Sequence, residues 1–350
     1  METISFARGG PAPELLPLEE LADCARTVLG REGRSLLSYG DGAGYAPLRE
    51  LVGEWFGVHP GRVVLTNGAL HGLELLARLI ASGQTVLCET PTSDRAYQVL
   101  LAAGAAIVVA QVEEQGLDPV STEVALVGQR PPVLLYVNPT FHNPTGTTMT
   151  AERRRTLVAL ASQARFAIVE DDPYRLLRFE GEPVPPLFDV SRKTSVYLSS
   201  FSATIAPGLR VGFLILGERL AERVAAAATD TYITPALLSQ AIVHEFIRRG
   251  RFEPNLRRVN EQLRLRRDAM LAALEKHFAG ARWTRPEGGY FLWLELPPPT
   301  DAREVLARAH GVTAVAGTAF TATASCLRLA YGSASPDEIE EGIARLAAAV

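Results

Sequence analysis

Short apolar runs rich in β-branched residues alternate with longer stretches of helical periodicity through the first two-thirds of the chain. That alternation is the sequence form of βαβ units around a mostly parallel sheet. Residues 63–65, 85–88, 106–109, 133–137, 167–169, 196–198 and 211–215 are the predicted strands. Between the first two, Leu70, Leu73, Leu76, Leu79 and Ile80 recur at helical spacing, which predicts a buried crossover helix. Residues 151–164 repeat the pattern.

The character changes near residue 218, where long helical stretches begin, among them 257–277. An alternating run at 290–294, a further strand at 326–330 and a helix start at Pro336-Asp337-Glu338 follow. We expect a large domain over residues 36–245, a smaller α+β domain over 246–350, and an N-terminal segment, 1–35, packed with the smaller one. A chain of 350 residues with 47% apolar composition can bury two cores of that kind.

A net charge of −4 supplies no broad cationic surface, so nucleic acid is not an expected partner. Cys24, Cys88 and Cys326 lie far apart, with neither metal-ligand spacing nor a disulfide framework, which points to a reducing, cytoplasmic setting. Residues 1–13 show no basic start or apolar h-region, and the longest apolar run, 99–112, is shorter than the ~20 residues of a membrane span. No export and no membrane association are expected. Lys193 and Lys276 are the only lysines, so chemistry that needs an amine has two candidates.

Four segments carry residues suited to chemistry. Thr66-Asn67-Gly68-Ala69 joins a strand to a helix, where free N–H groups suit a phosphate monoester, although a tight turn alone would use the same glycine. Ser200-Phe201-Ser202 and Arg210 bracket a second turn that offers hydroxyls and a guanidinium to the same kind of anion. Asn143 lies in His142-Asn143-Pro144-Thr145-Gly146, which turn chemistry by itself accounts for. Glu170-Asp171-Asp172-Pro173-Tyr174 ends a strand with three carboxylates that either bind a cation or pair with a buried positive group. No phosphate-binding Gly-Lys-Ser/Thr loop accompanies them, so nucleotide hydrolysis is not expected, and no metal site is predicted.

In this order, and with Ser38-Tyr39, Gly44-Tyr45-Ala46-Pro47-Leu48-Arg49 and Pro286-Glu287-Gly288-Gly289-Tyr290-Phe291 beside them, these segments resemble the fold-type I, pyridoxal-phosphate-dependent aminotransferases. The resemblance is closest to the subgroup of 2-aminoadipate aminotransferase and the catalytic domains of MocR-type regulators, and runs from Ile4 to the C-terminus. It implies a three-layer α/β fold of the aspartate-aminotransferase type, a pyridoxal 5′-phosphate or pyridoxamine phosphate cofactor, and amino-acid and 2-oxo-acid substrates. By the same resemblance Asp171 would hold the protonated pyridine nitrogen, with Asn143 and Tyr174 on the phenolic oxygen. Asn67, Gly68, Ala69, Ser200, Ser202 and Arg210 would hold the phosphate, with Tyr39 reaching the phosphate of a second copy in a homodimer. Arg328 would clamp the substrate α-carboxylate, with Asn143 and Gly10 beside it.

The resemblance breaks at one position of Ser200 to Arg210. Ala203 stands where the family carries the Schiff-base lysine, which acts as nucleophile and as acid and base. Ser93 stands where an aromatic residue commonly stacks on the pyridine ring, and Ala69 replaces a common hydroxyl residue. A lysine exchanged to trap an intermediate accounts for Ala203 alone; natural divergence accounts for all three. Three readings stay open: an aminotransferase in lysine-less form, a naturally lysine-free enzyme with His71 or His142 as proton carrier, and a non-catalytic partner of an active paralogue. Both histidines are expected to be structural, and in the stretch 8–26 Arg26 is the candidate cation for an acidic substrate.

Overall fold

The computed structural model describes residues 3–350. Of the expected N-terminal segment 1–35, residues 1 and 2 lie outside the described residues. The chain forms β1 (Ile4–Ser5), β2 (Val63–Thr66), β3 (Thr85–Thr90), β4 (Ala106–Glu113), β5 (Gly116–Leu117), β6 (Leu134–Val137) and β7 (Ala167–Asp171). They are followed by β8 (Ser195–Ser200), β9 (Gly212–Ile215), β10 (Arg282–Trp283), β11 (Phe291–Glu295), β12 (Val312–Thr313), β13 (Val315–Ala316) and β14 (Cys326–Ala330). The first helices are α1 (Leu18–Leu36), α2 (Ala46–Phe56), α3 (Ala69–Ile80), α4 (Asp94–Ala102), α5 (Pro119–Leu126) and α6 (Ala151–Ala164). The others are α7 (Leu187–Val190), α8 (Glu218–Tyr232), α9 (Leu237–Arg248), α10 (Phe252–His277), α11 (Ala302–Arg308) and α12 (Pro336–Ala347).

The central sheet has eight strands in the order β2-β9-β8-β7-β6-β3-β4-β5. Its middle, from β4 through β8, is parallel, while β9 runs antiparallel to both β8 and β2. The central strands are apolar on both faces, as strands covered on both sides must be. Val86, Leu134, Val169 and Leu198 pack with Leu73 and Leu76 of α3, whereas Leu87, Leu135 and Ile168 pack with Leu157 and Ala161 of α6. The parallel strands end on one edge, and the turns that leave this edge carry the residues described below.

A four-stranded antiparallel sheet, β10-β11-β14-β13, forms a second unit with α10 and α12. Its closing helix is fixed by a reciprocal capping box between Ser335 and Glu338. The N-terminal β1 pairs in parallel with β12. Helix α1 is held against α9 by Arg31, which donates to Glu245 at 3.0 Å.

Several expectations shift in detail. Leu70 is exposed, so the buried stripe of α3 runs instead through Leu73, Leu75, Leu76 and Ala77. The helix expected from residue 257 begins at Phe252, which is buried and packs on Trp55 and Phe201. Residue 245 lies within α9, and the chain turns at Gly250, whose φ of 69° an L side chain rarely adopts. The apolar run 99–112 is shared between α4 and β4. No helix among the described residues is long and apolar enough to cross a membrane.

Candidate active site

At the end of β7, Asp171 Oδ2 accepts a hydrogen bond of 2.6 Å from the Tyr136 hydroxyl on β6. The Asn138 side-chain amide donates to the Asp171 carbonyl at 2.5 Å. Asp171 Oδ1 is buried with no hydrogen-bond partner among the described residues. Burial pushes the Asp171 carboxyl up to about 7; the Tyr136 hydrogen bond works against that rise, and Asp172 and Glu89 add to it. An unpaired buried carboxylate oxygen is costly, and a cationic donor placed against it would satisfy it.

The two neighbouring carboxylates turn elsewhere. Glu170 accepts from the Leu187 and Phe188 amides and from the buried Arg154. Asp172 accepts from the Tyr197 hydroxyl at 3.0 Å and lies 3.2 Å from Arg175. The three carboxylates therefore do not converge on a cation, and the local positive groups pair with Glu170 and Asp172.

Beyond β6, the Asn143 amide donates to Asn138 Oδ1 at 2.7 Å. Asn143 Oδ1 accepts from Arg328 Nη1 at 2.8 Å. Arg328, on β14, also donates to the Ala7 carbonyl at 2.7 Å, and its Nε has no partner. Its guanidinium lies between the rings of Phe291 and Phe320, 4.5 and 4.7 Å from the two centroids. Burial lowers the Arg328 pKa, and Tyr174 and Asp94 oppose that shift. Tyr174 meets Tyr290 and Phe291 edge-on. Burial, followed by the nearby Asp171, raises its hydroxyl above the ordinary range.

The third cluster lies where β2 enters α3. Gly68 has φ 93°, and a Cβ there would come within 2.2 Å of Arg210 Nη2. Arg210 donates to the Asn67 carbonyl at 3.1 Å and to Ser202 Oγ at 3.4 Å, and the Ser202 amide donates to Ser200 Oγ at 3.4 Å. The first amides of α3, beginning at Ala69, lack intrahelical acceptors and complete a cradle of donors. The Asn67 side-chain oxygen accepts from the Ala236 amide at 3.2 Å.

Ala203 is buried beside these groups, and its carbonyl accepts from the Tyr290 hydroxyl at 2.7 Å. Neither lysine is near. Lys193 precedes β8 at its far end, roughly 20 Å away at about 3.3 Å per residue. Lys276 pairs with Glu340 on the opposite unit.

Among the other expected site residues, Ser93 caps α4 in position but makes no cap hydrogen bond. Tyr39 projects from the loop after α1, 79% exposed. Gly10 lies beside Gly332, and it is Ala7 that touches Arg328. Arg26 is exposed on α1. His71 Nδ1 accepts from the Asn67 amide, its ring meets Tyr232, and burial lowers its pKa. His142 is buried between Thr145 and Glu89. Sequence reasoning passed over Tyr136, Asn138, Phe291 and Phe320 as site residues, because each reads as an ordinary strand or turn position. Only their neighbours across the sheet give them a role.

The family model "Aminotransferase class I and II" matches residues 13–346. The chain is 36% identical to 2-aminoadipate transaminase of Thermus thermophilus, over 99% of this chain and 90% of that protein. Among solved structures, the α-aminoadipate aminotransferase of Thermus thermophilus, complexed with N-(5′-phosphopyridoxyl)-L-leucine, superposes with a TM-score of 0.94 at 36% identity, covering 99% of this chain and 92% of that one. A kynurenine aminotransferase of Pyrococcus horikoshii, in complex with pyridoxamine phosphate, gives a TM-score of 0.95 at 32% identity, covering 100% and 91%.

Proposed function

The chain belongs to the class I and II aminotransferases, and on that premise we propose that it holds pyridoxal or pyridoxamine phosphate without a covalent link, together with an α-amino acid or 2-oxo acid. The observation that carries this reading is the buried, unpartnered Asp171 Oδ1, an acceptor suited to the N–H of a pyridinium ring. The donor set fits the rest of the cofactor. Arg210, Ser200, Ser202 and the Gly68 and Ala69 amides suit its phosphate, and no side chain could replace Gly68 without striking Arg210.

When bound, the cofactor supplies an electron-withdrawing ring and a carbon that carries the amino group. Asp171 keeps the ring nitrogen protonated. Asn143, whose Oδ1 faces Arg328, has its Nδ2 left for the phenolic oxygen, and the Tyr174 hydroxyl donates to the same oxygen. Arg328 takes the substrate α-carboxylate, with its Nε still free. Tyr39, exposed on its own chain, serves the phosphate site of a second copy in a homodimer.

Ala203 supplies no amine to attach the cofactor or to move the Cα proton. Loss of such acid–base help typically costs ~10²–10⁴ in rate. The chain therefore binds aminotransferase ligands but turns them over slowly. Histidine replacement of the lysine has less support, because both rings are held in place: His142 Nδ1 is engaged by Thr145, with Nε2 3.3 Å from Glu89, and His71 Nδ1 accepts from the Asn67 amide beside the Tyr232 ring.

Titration with pyridoxamine phosphate tests the reading. Asp171→Ala should weaken its binding more than tenfold, about 1.4 kcal/mol. Unchanged affinity would show that the pyridine nitrogen lies elsewhere.

A further inference from the structure

Tyr136 is fully buried in the middle of the parallel sheet, with Cys88 of β3 and Val169 of β7 as its register partners. Asp171 follows Val169 by two residues and so shares the sheet face onto which Tyr136 projects. Cys88, Leu134, Val169 and Leu198 pack on that face with the phenol, and among the described residues its hydroxyl has one hydrogen-bond partner, Asp171 Oδ2, at 2.6 Å. This is the length of a charge-assisted O–H···O⁻ bond.

We propose that Tyr136 is a positioning residue for the cofactor ring: its hydroxyl occupies one oxygen of Asp171, fixes the plane of the carboxylate, and reserves the other oxygen for the pyridine nitrogen. The inference rests on the function proposed above. Two anchors hold the carboxylate from opposite ends, Asn138 on its backbone carbonyl and Tyr136 on its side chain. Neither touches Oδ1, which is left buried and unpaired.

The charges around Asp171 explain why a donor is needed. Asp172 follows it just beyond β7, Glu89 on β3 is close enough to act on it through space, and Tyr174 lies in the next turn. Among the described residues no arginine or lysine forms an ion pair with it; Arg154 is committed to Glu170, and Arg175 to Asp172. Burial and these acidic neighbours favour the neutral acid, and the Tyr136 hydrogen bond is the side-chain contact that favours the anion. The phenol keeps its proton, because burial and the adjacent Asp171 push its own ionisation far upward.

Tyr136→Phe removes the donor and keeps the ring. A lost hydrogen bond to a charged group raises the carboxyl pKa by about one unit. Pyridoxamine phosphate binding, followed by titration from pH 6 to 8.5, should therefore weaken roughly tenfold at the acid end and less than about threefold at the alkaline end. The carbocyclic analogue, with CH in place of the ring nitrogen, should lose less than about threefold at every pH. In an Asp171→Asn background, Tyr136→Phe should add nothing. An equal loss at all pH values, shared by the carbocyclic analogue, would reduce Tyr136 to packing and overturn the proposal. If the unaltered protein fails to bind pyridoxamine phosphate, the proposed function falls instead.

Discussion

Arg328 and Asn143 meet at 2.8 Å, and this hydrogen bond joins the last strand of the four-stranded sheet to the turn that leaves β6 of the central sheet. Each residue is fixed from its own side. Phe291 and Phe320 enclose the guanidinium, and Asn138 holds the Asn143 backbone. Through Asn143 and Asn138 the Arg328 guanidinium is therefore fixed relative to Asp171.

Arg328→Ala should weaken the phosphopyridoxyl adduct of L-alanine by about 10- to 100-fold, the range expected for lost hydrogen bonds to a charged group. The matching adduct of ethylamine, which has no carboxylate, should lose little. Arg328→Lys should not restore binding, since an ammonium has neither the fork nor the flat faces that fit between two rings. Equal losses for both adducts would refute the carboxylate assignment.

Borohydride treatment of the protein mixed with pyridoxal phosphate should leave no pyridoxyl-lysine, because position 203 is alanine and Lys193 and Lys276 are distant. Ala203→Lys should create that linkage and raise amino transfer by at least ~10²-fold. Peptide mapping and a coupled transamination assay measure the two outcomes. A stable adduct on Lys193 or Lys276 in the unaltered protein would contradict the placement of the site, and a linked but inactive Ala203→Lys would favour lysine-free chemistry or a partner-subunit role.

Gly68→Ala places a side chain on a φ of 93° and drives it against Arg210. The backbone strain costs about 1–3 kcal/mol, and Arg210 must leave the cradle. Pyridoxamine phosphate should bind at least tenfold more weakly, about 1.4 kcal/mol, while dephosphorylated pyridoxamine changes little. Comparable losses for the two ligands would remove the phosphate from this turn.

Glu245 is enclosed by Arg31 at 3.0 Å, Arg248 at 2.8 Å and Arg249 at 2.6 Å. The Arg248 hydrogen bond leads the effects that bring its carboxyl from an ordinary 4.5 down to about 2. A depressed folded-state value means that its stabilisation is present above pH 4.5 and is lost as the pH falls from there towards 2. With the partly exposed arginines screened by solvent, that stabilisation is about 1–3 kcal/mol. Glu245→Gln should melt below the unaltered protein at pH 7, and the two melting curves should draw together as the pH falls towards 2. A gap undiminished at pH 2 would make the loss one of shape and not of charge.

The order of strands and helices was legible in the sequence because a covered strand has to be apolar and a crossover helix has to repeat every three to four residues. These local requirements are written in 63–66, 69–80 and 151–164 as plainly as the structure carries them. The residues proposed for the site could be picked out because they lie in or beside turns between elements, as Gly68, Asp171 and Arg210 do, or because one residue departs from the pattern the chain otherwise resembles, as Ala203 does. Leu70 shows the limit: spacing assigns it to a face, but only the neighbours of α3 decide that this part of the face meets solvent.

Which side chains support which was decided by tertiary structure alone. Tyr136 and Asp171 are 35 residues apart, and Asn143 and Arg328 are 185 apart. Nothing in the spacing of either pair predicts contact, since it depends on strand register and on how two sheets dock. Similarly, the run Glu170-Asp171-Asp172 reads as three equivalent carboxylates. Alternation at the end of β7 sends neighbours to opposite faces with different partners, so that Glu170 and Asp172 find donors and cations while one oxygen of Asp171 has no partner among the described residues.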